Sequence, residues 1–422
     1  MNFIKELNWR GMIHDIMPGT EEQFLQEITT AYIGFDPTAD SLHIGSLVQI
    51  MILVHLQKAG HKPIILIGGA TGMVGDPSGK SSERNLLEKE KVVHNLTCIK
   101  KQLEKLLDFN CGENSAEVVN NDDWFNKYSF LEFIRDIGKH ISINYMLAKD
   151  SVKSRLESGM SFTEFSYQLV QGFDFYWLWK NKNCKVQLGG SDQWGNIVTG
   201  TELIRRKGNG KAFAVTTPLL QKSDGGKFGK TEDGNVWLDK ERTSVYKFYQ
   251  FWLNSSDEDA EKYIKIFTLL SKKEIEKTIK EHLEKPHLRL LQKTVANDIT
   301  KRVHGEKNLA VAIKASEILF GKSTFKDLKS LDEDTFLSIF KGVPQFDLKN
   351  EDMKHNILNI LCEKSKVFNS KGEARRMLQA NAVSINKEKI DEHFKYSKDN
   401  LINGKYLLIQ KGKKNYFILI VN

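Results

Sequence analysis

Residues 31–67 constrain the fold of this chain most, because the spacing of their apolar side chains changes twice within a short distance. Ala31-Tyr32-Ile33-Gly34-Phe35 has the length and composition of a buried strand, residues 44–59 are apolar at helical spacing, and residues 62–67 are a second short apolar run. Strand, helix, strand in that order predicts parallel strands with helices on the sheet faces, and ligands of such sheets bind beyond the carboxyl ends of the strands. The glycine-rich stretch 68–80 begins at such an end, and a long helical segment follows it. The alternation resumes with a helix over 163–179, a strand over 184–188 and a turn over 189–195 that opens another helix.

The α/β pattern stops near Trp237-Leu238, and residues 243–320 read as helices only, among them 244–253, 260–270 and 310–319. A polar stretch over 329–352, with Gly342 and Pro344, is the expected linker. Beyond it come a basic helix at 373–378 and short strands at 382–385, 406–409 and 416–421. The expected organisation is an α/β parallel-sheet domain over 1–238, an all-helical domain over 239–328, a linker over 329–355 and a small α+β domain over 356–422.

Composition narrows the function. The 422 residues are 40% hydrophobic and 27% charged, which is ordinary for a globular protein. No apolar run approaches the ~20 residues of a membrane helix and no leader pattern opens the chain, so a cytoplasmic protein without a membrane partner is expected. Cys98, Cys111, Cys184 and Cys362 are scattered, with no C-x-x-C pair and no histidine at ligand spacing, which points away from a disulfide framework and from structural zinc. The net charge is +8, and residues 371–422 carry eleven Lys/Arg against five Asp/Glu, or +6. The excess therefore sits at one end, as a local polyanion contact requires.

The glycines at 68–80 form no P-loop, because Gly75 and Gly79 are separated by three residues rather than four and Pro77 has no N–H to offer. They do not match G-x-G-x-x-G either. Two other fragments carry more chemistry. His43-Ile44-Gly45 stands at a helix start, where free N–H groups and the helix dipole favour an anion. Lys227-Phe228-Gly229-Lys230 places two cations around a glycine in a polar loop. Taken alone, the first fragment reads more readily as a helix-capping surface histidine and the second as a solvated basic turn.

Taken in order and spacing, residues 32–45, 68–80, 161–167, 189–196 and 227–231 resemble the signatures of the bacterial-type tyrosyl-tRNA synthetases, a family of class I aminoacyl-tRNA synthetases. The resemblance covers nearly the whole chain and implies a Rossmann-like catalytic domain. It implies that Tyr32 and Asp174 meet the phenol of L-tyrosine, that Asp76, Tyr167 and Gln171 hold its ammonium group, and that Gln193 lies near its carboxyl group. On the same basis Asp36, Gly45, Ser46, Gly190, Asp192 and Lys230 bind ATP, with Gly190 and Asp192 at the ribose. Thr38, His43, Lys80, Arg84, Lys227 and Lys230 serve the leaving phosphates.

The implied reaction joins tyrosine to ATP, giving tyrosyl-adenylate and pyrophosphate, and then transfers tyrosine to the 3′ end of tRNA(Tyr). A carboxylate is already a nucleophile, so this chemistry needs positive charge at the phosphates rather than a general base. Mg²⁺ is expected mainly on the ATP phosphates, with no protein metal ligand assigned and no prosthetic group. The resemblance also implies a homodimer, with an interface along residues 130–146.

The last segment, through Ser370-Lys371-Gly372-Glu373-Ala374-Arg375-Arg376 and 382–386, is similar to a small RNA-binding domain, which makes Arg375, Arg376, Lys411, Lys413 and Lys414 candidate phosphate contacts. Two residues depart from the family pattern: Ser46 replaces a second histidine, and Ile33 stands where cysteine is frequent. Losing one such hydrogen bond to ATP costs only ~0.5–1.5 kcal/mol net. A tryptophanyl-type synthetase would share the fold but not the Tyr32 and Asp174 pair. An RNA-binding factor with a decayed synthetase site would not need Asp76, Gln193, Lys227 and Lys230 intact.

Overall fold

Six strands build the first sheet: β1 (Asp15–Ile16), β2 (Thr30–Phe35), β3 (Lys62–Ile67), β4 (Glu117–Asn120), β5 (Cys184–Gly190) and β6 (Phe213–Thr217). They are seen in a computed structural model that describes residues 2–75, 88–149, 152–153, 159–231, 234–320, 324–340, 342–412 and 415–422. The strand order is β1-β6-β5-β2-β3-β4. All neighbours are parallel except β1, which runs antiparallel to β6. The expected parallel sheet thus carries an antiparallel edge, which at two residues is too short to leave a periodic signal.

Strand β2 has β3 on one side and β5 on the other, so the chain order reverses there. Such a switch point opens a crevice at the carboxyl ends of the strands. Helix Ile44–Lys58, which follows β2, buries ten of its fifteen residues, because it is apolar almost all round rather than along one stripe. Helix Phe162–Lys182 precedes β5. Its start is fixed by a capping box between Ser161 and Glu164, and its end by Asn183 in the left-handed region at φ 50°.

The chain divides into two compact units, Met1–Thr243 with Phe251–Val303, and Ser244–Gln250 with His304–Asn422. Helices Val245–Leu253, Asp257–Phe267, Lys272–Glu284, Leu290–His304 and Glu306–Phe320 fill the region read as all-helical, yet they are shared between the two units. Periodicity announces a helix without saying which core its apolar face joins. Within the first unit, the buried Arg10 donates to the carbonyls of Thr268 (2.9 Å), Leu270 (2.8 Å) and Lys265, closing the end of helix Asp257–Phe267.

The second unit holds a five-stranded sheet in the order Glu388–Lys389, Val383–Ile385, Tyr406–Lys411, Asn415–Val421, Gln345–Leu348. Alternation along its strands feeds two cores. Leu407, Ile409, Leu419 and Val421 pack with Ile357, Leu361, Ala374 and Leu378, whereas Tyr406, Leu408 and Ile418 pack with Phe336, Ile339 and Phe340. Cover on both faces explains why these strands are continuous apolar runs.

The stretch read as a linker is structured where it is described: it contains helix Glu333–Ile339 and strand Gln345–Leu348, which pairs in parallel with Asn415–Val421. Its polar composition hides this, because an edge strand is held through its backbone and buries only alternate side chains such as Leu348. No helix among the described residues is long and apolar enough to cross a membrane.

Candidate active site

A cavity of about 220 Å³ opens at the switch point, lined by side chains of β2, β5 and helix Phe162–Lys182. At its closed end lie Tyr32 and Asp174, 1% and 2% exposed. Asp174 is held from behind: Trp124 Nε1 donates to Oδ1 (2.8 Å) and Asn121 Nδ2 donates to Oδ2 (3.0 Å). Asn121 is itself fixed by donating to Thr71 Oγ1 (3.0 Å) and accepting from the Ala70 N–H (2.8 Å). Trp124 stacks on Trp177 with ring centroids 4.2 Å apart.

Burial pushes the Asp174 carboxyl up to about 7 despite those two donors, which stabilise its charged form, and the charge of Asp36 pushes the same way as burial. Burial, and then the charge of Asp174, holds the Tyr32 phenol well above its ordinary range. The Tyr32 hydroxyl makes no hydrogen bond among the described residues. A buried hydroxyl left without a partner costs about 1–3 kcal/mol, so this end of the cavity is poised for a polar ligand atom.

Asp36, Tyr167, Gln171, Gly190, Asp192 and Gln193 line the same cavity, so eight of the residues singled out in the sequence come together there. Asn196 Nδ2 donates to Gln171 Oε1 (2.9 Å) and to Gln193 Oε1 (3.4 Å), tying the two glutamines to one amide.

A second cluster sits at the start of helix Ile44–Lys58. His43 is its N-cap: Nδ1 accepts the Gly45 N–H at 3.0 Å, which leaves Nε2 to carry the proton of a neutral ring. Burial, with the charge of Lys230 second, lowers the His43 pKa and keeps the ring neutral near pH 7. A side chain at Gly45 would strike that ring, since its Cβ would lie 2.7 Å from His43 Cε1. Glycine therefore serves the histidine cap directly, in addition to leaving backbone open to a ligand.

The lysine loop reaches this helix. Gly229 has φ +85°, and a Cβ there would lie 3.2 Å from the Gly45 backbone nitrogen, so the two glycine motifs meet almost backbone to backbone. The loop is pinned on its other side. Phe228 sits among Phe251, Trp252, Tyr263 and Phe267 at centroid distances of 5.2–6.0 Å, and the Ser223 N–H donates to Asp259 Oδ1 at 3.0 Å. Lys227 and Lys230 remain exposed.

Thr38, His43, Gly45, Ser46, Lys227 and Lys230 lie outside the cavity lining, and Thr38 is exposed. Asp76, Lys80 and Arg84, expected at the ammonium group and the phosphates, fall outside the described residues, as do Lys413 and Lys414. Sequence reasoning missed Asn121, Trp124, Gln187 and Gln49. Gln187 is 2% exposed beside Tyr32 in the β2/β5 register, and Gln49 donates to Thr217 Oγ1 at 3.1 Å; both line the cavity, and the Oε1 of each has no partner among the described residues. A polar residue inside an apolar strand was the available signal for Gln187.

Comparison with known proteins agrees with this geometry. The family described as tRNA synthetases class I (W and Y) matches residues 25–321, and the Tyrosine-tRNA ligase SYY-like C-terminal domain matches residues 335–419. The tyrosine-tRNA ligase of Flavobacterium johnsoniae is 60% identical over 428 residues, spanning 100% of this chain and 99% of its own. That of Bacteroides thetaiotaomicron is 58% identical over 428 residues, spanning 100% of both. A C-terminally truncated mitochondrial tyrosyl-tRNA synthetase of Aspergillus nidulans superposes with a TM-score of 0.66 at 33% identity, over 74% of this chain and 92% of its own. With full-length identity of this order and a cavity closed by Tyr32 and Asp174, the chain belongs to the tyrosine-tRNA ligase family of class I tRNA synthetases, which join tyrosine to tRNA at the expense of ATP.

Proposed function

We propose that the cavity takes the side chain of L-tyrosine at its closed end, with the phenol bridging Tyr32 and Asp174. The observation that carries this reading is the Tyr32 hydroxyl, buried with no partner among the described residues, in the same cavity as a carboxylate held in place by two donors. A phenol supplies one acceptor and one donor, which satisfies both groups. Phenylalanine would leave both unsatisfied, and tryptophan would bring a donor with no acceptor for Tyr32. Tyr167, Gln171 and Asp76 then take the ammonium group and Gln193 the carboxyl group.

ATP occupies the wider part, with its ribose at Gly190 and Asp192 and its nucleoside near Asp36, Gly45 and Ser46. Its phosphates lie toward Thr38, His43, Lys227 and Lys230, joined by Lys80 and Arg84. The neutral His43 donates through Nε2 and the lysines supply charge where pyrophosphate departs. Mg²⁺ accompanies the phosphates, because it keeps several of its waters and binds mainly through the substrate's phosphate oxygens.

Residues 239–328 act on the anticodon side of tRNA(Tyr), and residues 356–422 bind RNA through Arg375, Arg376, Lys411, Lys413 and Lys414. The enzyme works in the cytoplasm as a homodimer. Phe130, Leu131 and Ile143 are 63%, 76% and 64% exposed, an apolar surface that a second copy would cover. Exchange of labelled pyrophosphate into ATP tests the reading: it should require tyrosine and fail with phenylalanine or tryptophan. Folded protein that shows no tyrosine-dependent exchange would favour an RNA-binding factor with a decayed site.

A further inference from the structure

The basic residues of the second unit differ in whether their charge is already engaged. Lys411 Nζ lies 2.7 Å from Glu373 and over the Phe368 ring, and Arg375 pairs with Glu392 at 3.4 Å. Lys354, Lys395 and Lys398 make no ion pair among the described residues, and all three line one cavity of about 960 Å³. His355 and His393 stand in the same wall, against a single acidic residue, Glu392, which faces Arg375.

The floor is apolar. Met353 is buried, and Phe394 and Tyr396 are half-buried against the core beneath. The Tyr396 hydroxyl is buried and makes no hydrogen bond among the described residues. Two aromatic rings, an orphaned hydroxyl and a rim of free cations are what an unpaired nucleotide asks for: a surface to stack on, a polar atom for a base edge, and positive charge for the flanking phosphates. The volume lies within the range of pockets that hold small ligands.

We propose that this cavity is a subsite for an unpaired nucleotide of the bound tRNA, its base against Phe394 and Tyr396 and its phosphates at Lys354, Lys395 and Lys398. The inference rests on the reading that the second unit binds RNA. It shifts the main contact from the helix carrying Arg375 to the loop that carries Lys395 and Lys398, and Arg375 joins the two through Glu392.

The test uses the full chain and a tRNA(Tyr) transcript. The double substitution Lys395→Glu with Lys398→Glu, both on the exposed rim, should weaken tRNA binding by about tenfold or more and lower the slope of affinity against salt by about 1 to 2. Tyrosine-dependent pyrophosphate exchange should stay unchanged. Phe394→Ala should weaken binding by about fivefold or more and leave the salt slope alone, because stacking carries no counterions. Unchanged tRNA affinity in the double variant, alongside weakened affinity in Arg376→Glu, overturns the subsite and leaves the RNA reading standing. A wild-type chain that activates tyrosine and binds no tRNA overturns that reading, and the subsite with it.

Discussion

The closed end of the cavity and the lysine loop serve one reaction on opposite terms. Tyr32 and Asp174 are almost fully buried, and Asp174 is held by two donors that are themselves held, so its geometry is set before any ligand arrives. Lys227 and Lys230 are exposed, and what is fixed is the loop beneath them, through Phe228 in its aromatic cage and Ser223 on Asp259. Recognition of an uncharged ring needs dry, prearranged polar atoms, because an error there leaves buried groups unpaired. Stabilising a departing polyanion needs charge that can follow the ligand. One end stores its cost in the fold, and the other meets it during turnover.

The largest effect should come from breaking the closed end. Asp174→Ala strands the Asn121 amide and the Trp124 indole as well as the substrate phenol, at about 1–3 kcal/mol for each buried group. kcat/KM for tyrosine in pyrophosphate exchange should fall by ~10³-fold or more with little change in the KM for ATP, whereas a loss below tenfold would mean that this end does not select the substrate. Lys230→Ala should do the reverse, lowering kcat by ~10²–10³ while tyrosine affinity, read by equilibrium dialysis, stays within twofold. A large loss of tyrosine affinity there would erase the division between the two ends.

A third expectation follows from the raised pKa of Asp174. Its folded value, about 7, exceeds the ordinary 3.8, so the folded chain holds a proton that the unfolded chain gives up between these values. That contribution to stability is present below the ordinary value and is lost as pH rises toward 7. Between pH 5 and pH 7 the wild type should lose roughly 2–3 kcal/mol relative to Asp174→Asn, which has no such titration, as measured by urea unfolding of both proteins across the range. Parallel pH profiles would show that this carboxyl is not desolvated as described.

The smallest effect concerns the nucleoside. Gln49 lines the cavity and reaches Thr217, whose hydroxyl in turn donates to the Gly189 carbonyl at 3.3 Å, whereas Ser46 is not part of the lining. Gln49→Ala should raise the KM for ATP about three- to tenfold, and Ser46→His should change it by less than about threefold, in keeping with one hydrogen bond. The opposite ranking would make Ser46, rather than Gln49 beside it, the stronger of the two nucleoside contacts.

Much of this architecture was legible in the chain. The 31–67 alternation gave β2, helix Ile44–Lys58 and β3 to within a residue or so, because these elements are buried and strongly periodic. Helix Ile44–Lys58 and its histidine cap were readable locally for the same reason. The pairing of Tyr32 with Asp174 came only through resemblance, since no local rule joins a strand residue to a helix residue so distant in sequence. Asn121 and Trp124 escaped notice because Asn120-Asn121-Asp122-Asp123 reads as a polar loop, and nothing in that composition says that Asn121 is fully buried behind a carboxylate. The stretch over 329–355 was misread because backbone pairing, which holds Gln345–Leu348, leaves little trace in side-chain composition.

Arg10 gives the lysine loop a dependence on a distant residue. By closing the end of helix Asp257–Phe267 it steadies Asp259, Tyr263 and Phe267, the side chains on which the lysine loop rests. Its removal would uncap several carbonyls at once, a sizeable share of the ~5–15 kcal/mol that holds a typical protein together, while every residue lining the cavity stayed intact. In an organism that depends on this enzyme, such a lesion would surface as a conditional allele: growth at low temperature, arrest on warming, and a site that sequencing would find unmutated.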